Sequence, residues 1–434
     1  MTNLGSKIEE QLPAEMVNLM QTAGGIAAEQ GDSLYLIGGV VRDLLLEKAN
    51  LDLDLDLDLV VEGNAIELAK RLAGTKPARL TTHPHFNTAK LEWEKWSVDF
   101  ATARSESYAR AGALPTVEPS SIEKDLFRRD FTINAMAVCL SPERYGELID
   151  RYGGQDDLED RLIRILHEKS FIDDATRIWR GLRYEQRLGF QLEEGTLRLL
   201  KRDIPMLDTI SGDRIRYELE CIFQEEEPEK VLSRAEELGV LARLHPEMKG
   251  NGWLADRFQA ARKQAAPGLP SFGLYLALLS YRLGEEESEQ LISYLRLPGT
   301  VARVVRDSIA LKSRLRTLSY PELKRSRVYH IIHGYAQSAI TANSLAVGSP
   351  IARQHLETFL HELRYVKPAL NGHDLIEMGF PPCPQIKEVL KLLHNARLDG
   401  KVNSKADEEE LVKEWLGEQQ LMRGSQNKGA RGPL

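Results

Sequence analysis

The chain is poor in cysteine. Its three, Cys139, Cys221 and Cys383, stand far apart in 434 residues with no CxxC, which argues against a disulfide framework or a zinc ribbon and fits a reducing cytoplasm. No run of about 20 apolar residues and no signal-peptide pattern occurs, so neither a membrane span nor export is expected. Positive charge is not in excess. The 57 Lys and Arg stand against 65 Asp and Glu, a net charge of -8, so any contact with a polyanion has to be a local basic surface. No repeat of solenoid period is seen. What remains, 42% hydrophobic and 28% charged residues, is a globular composition in a chain long enough for two or more domains.

The most informative stretch runs from Leu34 to Gly63, LYLIGGVVRDLLLEKANLDLDLDLDLVVEG. Its apolar run Leu34 to Ile37, the pair Gly38-Gly39 and VVRDLLL read as strand, tight turn and helix start. Glycines there let the backbone approach a ligand, and free helix N–H groups favour an anion, which suggests a phosphate cradle. Leu and Asp then alternate through Asp52, Asp54, Asp56 and Asp58. In a strand, period two puts these carboxylates on one face. Such crowding is unfavourable unless a cation neutralises it. Mg²⁺ suits the place, and two ions about 4 Å apart could serve an in-line displacement. The plainer alternative is a solvated edge strand whose charges oppose aggregation.

Downstream, TTHPHFNTAKLEW and WSVDFATAR read as the two strands of a hairpin, with Asp99 on the second. ARSESYARAGALPTVEPSSIEKD lacks periodicity and is long for a loop inside a compact domain, which marks it as functional or disordered. In LFRRDFTINAMAV, Arg128 and Arg129 have the planar fork suited to phosphate. Asp130 and Asn134 share a face if Asp130 caps a helix running through Ile133 to Val138. In FIDDATRIWRGLRYEQRLGF the spacing places Asp174, Arg177, Arg180, Arg183 and Arg187 along one helical face, with Ile178, Leu182 and Leu188 packing behind. Between Arg303 and Arg327 eight Lys and Arg face only Asp307 and Glu322; Arg314, Arg316, Lys324 and Arg325 are the candidates for contact with an RNA backbone, against the reading of a solvated face.

GGVVRDLLL followed closely by DLDLVVEG, then RRDFTIN, and late in the chain Gly372, Asp374, Leu375 and Gly379 in a GxDLIxxG pattern, resemble the class II tRNA nucleotidyltransferase and poly(A) polymerase family, within the polymerase-beta-like nucleotidyltransferases. The resemblance spans most of the chain and is specific from Leu34 to Phe190. It implies an α+β fold: a small catalytic head of mixed sheet with helices, followed by an all-α neck, body and tail. The expected boundaries are a helical lead-in at 1–30, head at 31–165, neck at 166–225, RNA-binding body at 226–345 and RNA-binding tail at 346–434 with a disordered C-terminus.

The resemblance also implies roles. Asp56 and Asp58 would be the catalytic, metal-holding pair, with Asp99 a third acidic position. Gly38, Gly39, Arg42 and Asp43 would position the triphosphate with Arg128 and Arg129, and Asp130 with Asn134 would serve sugar and phosphates. Asp174 and Arg177, with Arg180 beside them, match the base-selecting motif. A carboxylate accepting from an amino group and an arginine donating to a ring nitrogen would accept adenine and cytosine and reject guanine and uracil. The chain departs from the family in four places. It carries a second Asp-Leu-Asp-Leu, of which only Asp56 and Asp58 have the family's following LVVEG; Glu47 stands where Gly is more usual; Asp173 replaces Glu; Cys383 replaces the Gly of a Pro-Gly-Pro. The long loop disfavours a CC-only enzyme, and its ALPTVEPSSI resembles members that add only A.

The implied activity is Mg²⁺-dependent building or completion of the tRNA 3′-terminal CCA from CTP and ATP, with release of pyrophosphate. Alternatives are A-only addition, a poly(A) polymerase, or an RNA-binding protein whose duplicated Asp stretch has spoiled the metal site. The partners expected are the tRNA 3′ end, ATP and CTP in a cytoplasmic protein, with no membrane and no protein partner.

Overall fold

The computed structural model describes residues 2–47, 56–75, 78–94, 96–110, 112, 115–380 and 384–429, the side chains of 56 and 418–429 excepted. The inserted Asp52 and Asp54, and Cys383, lie outside the described residues. The chain forms two compact units, Met1–Pro246 and Glu247–Leu434. No helix among the described residues is long and apolar enough to cross a membrane.

The first unit opens with α1 (Gly5–Gln11) and α2 (Ala14–Glu29). On α2, Met16, Leu19 and Met20 are buried, and Ile26 is half-buried. Helix α2 lies so close to the following sheet that a Cβ at Gly24 would overlap the Leu140 carbonyl oxygen, which is why a residue without a side chain stands there.

The sheet comprises β1 (Ser33–Ile37), β2 (Asp56–Glu62), β3 (Arg79–His83), β4 (Thr88–Trp93), β5 (Trp96–Thr102), β8 (Met136–Cys139) and β9 (Leu148–Asp150), in the order β3-β4-β5-β2-β1-β8-β9. The strands β6 (Arg104–Ser107) and β7 (Thr116–Pro119) form a separate antiparallel pair. Strands β2 and β5 run parallel; the other pairs in the large sheet are antiparallel. Helix α3 (Gly39–Leu45) follows β1 and α4 (Ala65–Ala73) follows β2, capped by the Asn64 side chain. Helix α5 (Ile122–Phe127) buries Ile122 and Leu126 against Tyr35, Ile37, Val60 and Ala137 on one sheet face, which fixes the height of the arginines that follow it. On the hairpin edge, the indole N–H groups of Trp93 and Trp96 donate to the two carboxylate oxygens of Glu15 at 2.7 and 2.9 Å.

Three local expectations change. The segment after Asp130 is not a helix through Val138 but a 3₁₀ turn, Thr132–Asn134, followed by β8 beside β1. The run Met136–Cys139 is buried throughout, and an all-apolar segment of that length fits a central strand as well as a helix; pairing with β1 decides it. TTHPHFNTAKLEW is two strands, because Pro84 opens a 3₁₀ turn and Asn87 takes φ +49. The long polar segment is paired near both ends as β6 and β7. Glu47, where the family usually has Gly, has φ +51, a backbone conformation glycine adopts without cost.

The first unit continues through α6 (Gly154–Glu159), α7 (Ser170–Asp173), α8 (Thr176–Leu188), α9 (Glu194–Asp203), α10 (Gly212–Phe223) and α11 (Pro228–Glu237). The second unit is helical among its described residues. In it the GxDLIxxG motif punctuates a helix: Asn371 and Asp374 form a capping box at the start of Gly372–Glu377, Leu375 is buried, and Gly379 has φ +99. The last helix, Lys405–Gly429, extends into the end of the chain that was expected to be disordered.

Candidate active site

The carboxylate end of the site follows from sheet register. Ile37, just before Gly38, pairs with Asp58 across β1 and β2, and Asp58 pairs with Asp99 across β2 and β5. Asp56 lies two residues before Asp58 on the same strand. Gly38 has φ +77 and ψ -145, and a Cβ there would lie 3.5 Å from Asp58 Oδ2 and 3.9 Å from Arg129 Nη1. Asp99 also pairs with Lys90 at 3.3 Å. A cavity of about 320 Å³ opens here, lined by Asp58, Asp99, Arg104, Arg128 and Arg129 among others. No cluster of three or more His, Cys, Asp or Glu residues suited to a metal occurs among the described residues. Carboxylates spaced i and i+2 with a third in the adjoining strand nonetheless suit Mg²⁺, which takes one or two carboxylates and fills its shell with water and phosphate oxygens.

The arginines are held by carboxylates. Asp125, fully buried, accepts from Arg128 Nε and Nη2 at 3.1 and 2.8 Å and from Arg129 Nη2 at 3.0 Å. Burial would raise the Asp125 carboxyl, but the two guanidinium groups bring it below its ordinary value. Glu106, from β6, accepts from Arg104, Arg128 and the Tyr108 hydroxyl. Arg129 Nε is buried without a hydrogen-bond partner among the described residues. Arg42 is buried, donating to Asp43 at 2.9 and 3.0 Å and to Asn134 at 2.8 Å; burial opposes its charge and Asp43 more than offsets this.

Asn134 links this group to the next. Its amide donates to Asp130 Oδ1 at 3.2 Å, while Asp130 Oδ2 accepts from Arg180 Nε and Nη2 at 2.9 and 2.6 Å. Asp130 and Asn134, read as sharing a helical face, are instead brought together by a turn. Burial pushes the Asp130 carboxyl up; Arg180, Asn134 and Arg177 outweigh it and bring it down to about 2. The guanidinium groups of Arg42, Arg180 and Arg183 lie 5.4, 5.7 and 5.1 Å from the ring centre of Tyr184.

A larger cavity, about 550 Å³, adjoins these groups; its lining includes Arg128, Arg129, Asp130, Asp174, Arg177, Arg180 and Arg214. Asp174 is not on the helical face with Arg177: it sits in an extended break between α7 and α8, where Oδ1 accepts from the Thr176 amide and hydroxyl at 3.0 and 2.7 Å. Arg177 is buried, donating to Ser170 Oγ at 2.7 Å and to the Arg128 carbonyl at 2.6 Å. Arg183 and Arg187 turn instead to Glu225. Glu218 of α10 is buried within 4.0 Å of Arg180 and Arg183, with Oε2 unbonded, and burial raises its carboxyl.

In the second unit, Arg314, Arg316 and Lys324 are exposed and carry no ion pair among the described residues, with Tyr320, 58% exposed, between them in sequence. Arg325 differs, pairing with Glu362 at 2.5 Å.

Comparison with known proteins fits this geometry. Residues 34–164 match the model of the poly A polymerase head domain, and 189–250 that of the probable RNA and SrmB-binding site of polymerase A. A-adding tRNA nucleotidyltransferase of Halalkalibacterium halodurans is 32% identical, over 96% of this chain and 97% of its own. The chain belongs to the class II tRNA nucleotidyltransferase and poly(A) polymerase family. It is therefore a nucleotidyltransferase. The A-adding tRNA nucleotidyltransferase of Geobacter sulfurreducens is 32% identical over 92% of this chain, which spans 47%, about half, of that relative's length. The solved structure of the Thermotoga maritima CCA-adding enzyme complexed with tRNA-CCA superposes with a TM-score of 0.76 at 32% identity, covering 95% of this chain and 98% of that one.

Several site residues of this family member escaped the reading of its motifs. Asp125 carried a local signal, standing three and four residues before Arg128 and Arg129, the spacing of helical ion pairs. Glu106, Tyr108 and Tyr184 carried none; they reach the site through the pairing of β6 and β7 and through the packing of α8.

Proposed function

We propose that this protein builds or completes the 3′-terminal CCA of tRNA from CTP and ATP. One observation carries the reading. Arg128 and Arg129 line both the carboxylate cavity and the larger cavity of Asp174 and Arg177, so one bound nucleotide can span them, triphosphate at the first and base at the second. Asp56, Asp58 and Asp99 would hold Mg²⁺, which supplies activation of the tRNA 3′-hydroxyl and stabilisation of the leaving pyrophosphate. The 3′-oxygen bonds to the α-phosphorus, the bond from that phosphorus to the β-bridging oxygen breaks, and the hydroxyl proton is lost to water. Arg128 and Arg129, held by Asp125, bind phosphate oxygens, and Gly38 lets the backbone come close beside Asp58. Asp174 accepts the amino group of adenine or cytosine and Arg177 donates to the ring nitrogen. Arg42, Asp43, Asp130, Asn134 and Arg180 form the polar network that positions sugar and phosphates. Arg314, Arg316, Lys324 and Arg325 contact RNA backbone, Arg325 most weakly because Glu362 already neutralises it. The protein acts in the cytoplasm.

A-only addition is the second reading, favoured by the loop ALPTVEPSSI and by the names of the two A-adding relatives. The test gives purified protein and Mg²⁺ three tRNA transcripts, ending at the discriminator base, at C and at CC, each with CTP, ATP or both. Growth of all three to CCA is the expected result. Extension of the CC form alone by one A makes the protein an A-adding specialist, and no extension of any sinks the mechanism.

A further inference from the structure

The second unit holds a cavity of about 750 Å³, lined from the helix Arg325–Ile332, the segment from Lys367 to Gly372 and the helix Gln385–Leu398. Leu370, buried, and Leu390, half-buried, give it apolar wall. Around it stand Lys367, Lys387 and Lys391, all exposed. No carboxylate lines it among the described residues. These cations are placed at a cost, because Lys387 and Lys391 stand four apart on one helix, where like charges repel. None of the three lysines shares in an ion pair among the described residues; Asp374 pairs instead with Lys405, Glu377 with His373 and Glu362 with Arg325. Aromatic rings complete the lining. His333, exposed, stacks on the half-buried Tyr329 with centroids 4.7 Å and planes 17° apart, and His394 meets the Tyr329 ring edge-on at 4.7 Å. The histidines are not a metal set among the described residues: Nε2 of His394 donates to the Val366 carbonyl at 3.1 Å and Nε2 of His330 to Asn395 Oδ1 at 2.7 Å. Burial first, and then the nearby His330 and His333, hold the His394 imidazole below its ordinary range, so near neutral pH it adds a ring rather than a charge.

Unpaired cations that repel one another around an apolar, ring-lined hollow are relieved by a flat anion of several charges. We propose that this cavity is a second nucleotide site, taking a free nucleoside di- or triphosphate with its base against the His333 ring and its phosphates among Lys367, Lys387 and Lys391. Lysine serves phosphate as a point charge, and an imidazole ring stacks on a base. Apolar walls with a few polar groups, at this volume, are the usual make-up of a small-molecule site. The lysines converge on one hollow from two elements instead of running as a track, which favours a compact polyanion over a polynucleotide backbone. The site lies wholly in the second unit, apart from the nucleotide position in the first, and does not rest on the function proposed above.

The test follows the rate at which an acetylating reagent modifies each lysine of the full chain, read by mass spectrometry, with ATP, with inorganic pyrophosphate or with a tRNA transcript. Because protection is read at single lysines, ATP bound in the first unit does not enter. At ten times its Kd, ATP slows modification of Lys367, Lys387 and Lys391 about tenfold, the factor 1 + [L]/Kd, and leaves Lys263, also exposed, unchanged. Pyrophosphate needs a concentration about tenfold higher, the scale of one lost stacking contact. His333→Ala weakens ATP by the same factor and His333→Phe restores it. Replacing Lys387 and Lys391 together by Ala abolishes protection of Lys367, and replacing both by Arg keeps it. No protection by ATP, equal protection at Lys263, or protection by the transcript and not by ATP overturns the site, the last making it a surface for RNA backbone. Equal potency of pyrophosphate and ATP, or a His333→Ala variant that matches the wild type, overturns the stacked base and with it the nucleotide.

Discussion

Both carboxylate oxygens of Asp174 lie 2.8 Å from Nη2 of Arg214, across the gap between the α7–α8 break and α10. With Thr176 also donating to Oδ1, the Asp174 carboxylate is fixed in direction before any base arrives. A carboxylate that merely swung in solvent would discriminate poorly between amino and carbonyl groups, since water would satisfy either. Arg214→Ala should therefore lower kcat/KM for ATP on the order of tenfold or more, the scale of a lost charge-assisted hydrogen bond. It should also narrow the preference for ATP over GTP. Single-turnover rates with the four nucleotides check this; an unchanged ATP-to-GTP ratio would sink the assignment of Arg214 to base selection.

The duplicated Asp-Leu-Asp-Leu makes a sharp test of register. Asp58, exposed and facing Asp99 across the parallel pair, can lose its carboxylate with little effect on folding. Asp56→Ala and Asp58→Ala should each abolish transfer and leave the melting temperature nearly unchanged, whereas Asp52→Ala should retain activity. A dead Asp52→Ala beside an active Asp56→Ala would shift the metal-holding pair by one repeat and refute the role given to Asp58.

What could be read beforehand depended on how local each signal was. The strand, Gly pair and helix start at Leu34 to Leu45 were legible because a period and a turn are written in consecutive residues, and RRD because three charges sit together. Met136–Cys139 was not, since its apolar run says only that it is buried and the neighbouring β1 decides what it is. The helical spacing of Asp174 and Arg177 suggested one continuous face, but the chain breaks at Asp174, whose carboxylate caps Thr176 instead. Arg42 shows the limit most clearly. Its motif position says phosphate, and Asp43 beside it is in the motif, but its bond to Asn134 reaches a residue 92 positions away, a contact no short motif encodes.

Gly38 offers a separate prediction. Its φ of +77 and ψ of -145 lie where an L-residue is strained, although the space for a methyl group exists, Asp58 Oδ2 being 3.5 Å from the Cβ position. The penalty of Gly38→Ala is therefore backbone strain, on the order of 1–3 kcal/mol. If the backbone relaxes to a negative φ, the turn between β1 and α3 moves and the approach of phosphate beside Asp58 is lost. The variant should show both a lower melting temperature and a raised KM for ATP. A raised KM without loss of stability would mean that the methyl group acts by obstruction rather than by strain.

The Asp130–Arg180 pair links stability to pH. Asp130 in the folded protein is depressed to about 2, against about 3.9 in an unfolded chain. A depressed carboxyl contributes stability that is present above the unfolded value and lost as pH falls through the folded one. The difference corresponds to roughly 2.6 kcal/mol, fully expressed at pH 7 and fading between about pH 4 and pH 2. Asp130→Asn keeps the shape of the side chain and removes its charge, leaving the half-buried Arg180 guanidinium beside an amide. Urea unfolding of the first unit should show the variant less stable than the wild type at pH 7 by at least that amount, with the gap closing toward pH 2 as the wild-type carboxyl is protonated. A gap that stays constant across this range would show that Asp130 acts through its hydrogen bonds to Asn134 and the Phe131 amide and not through its charge.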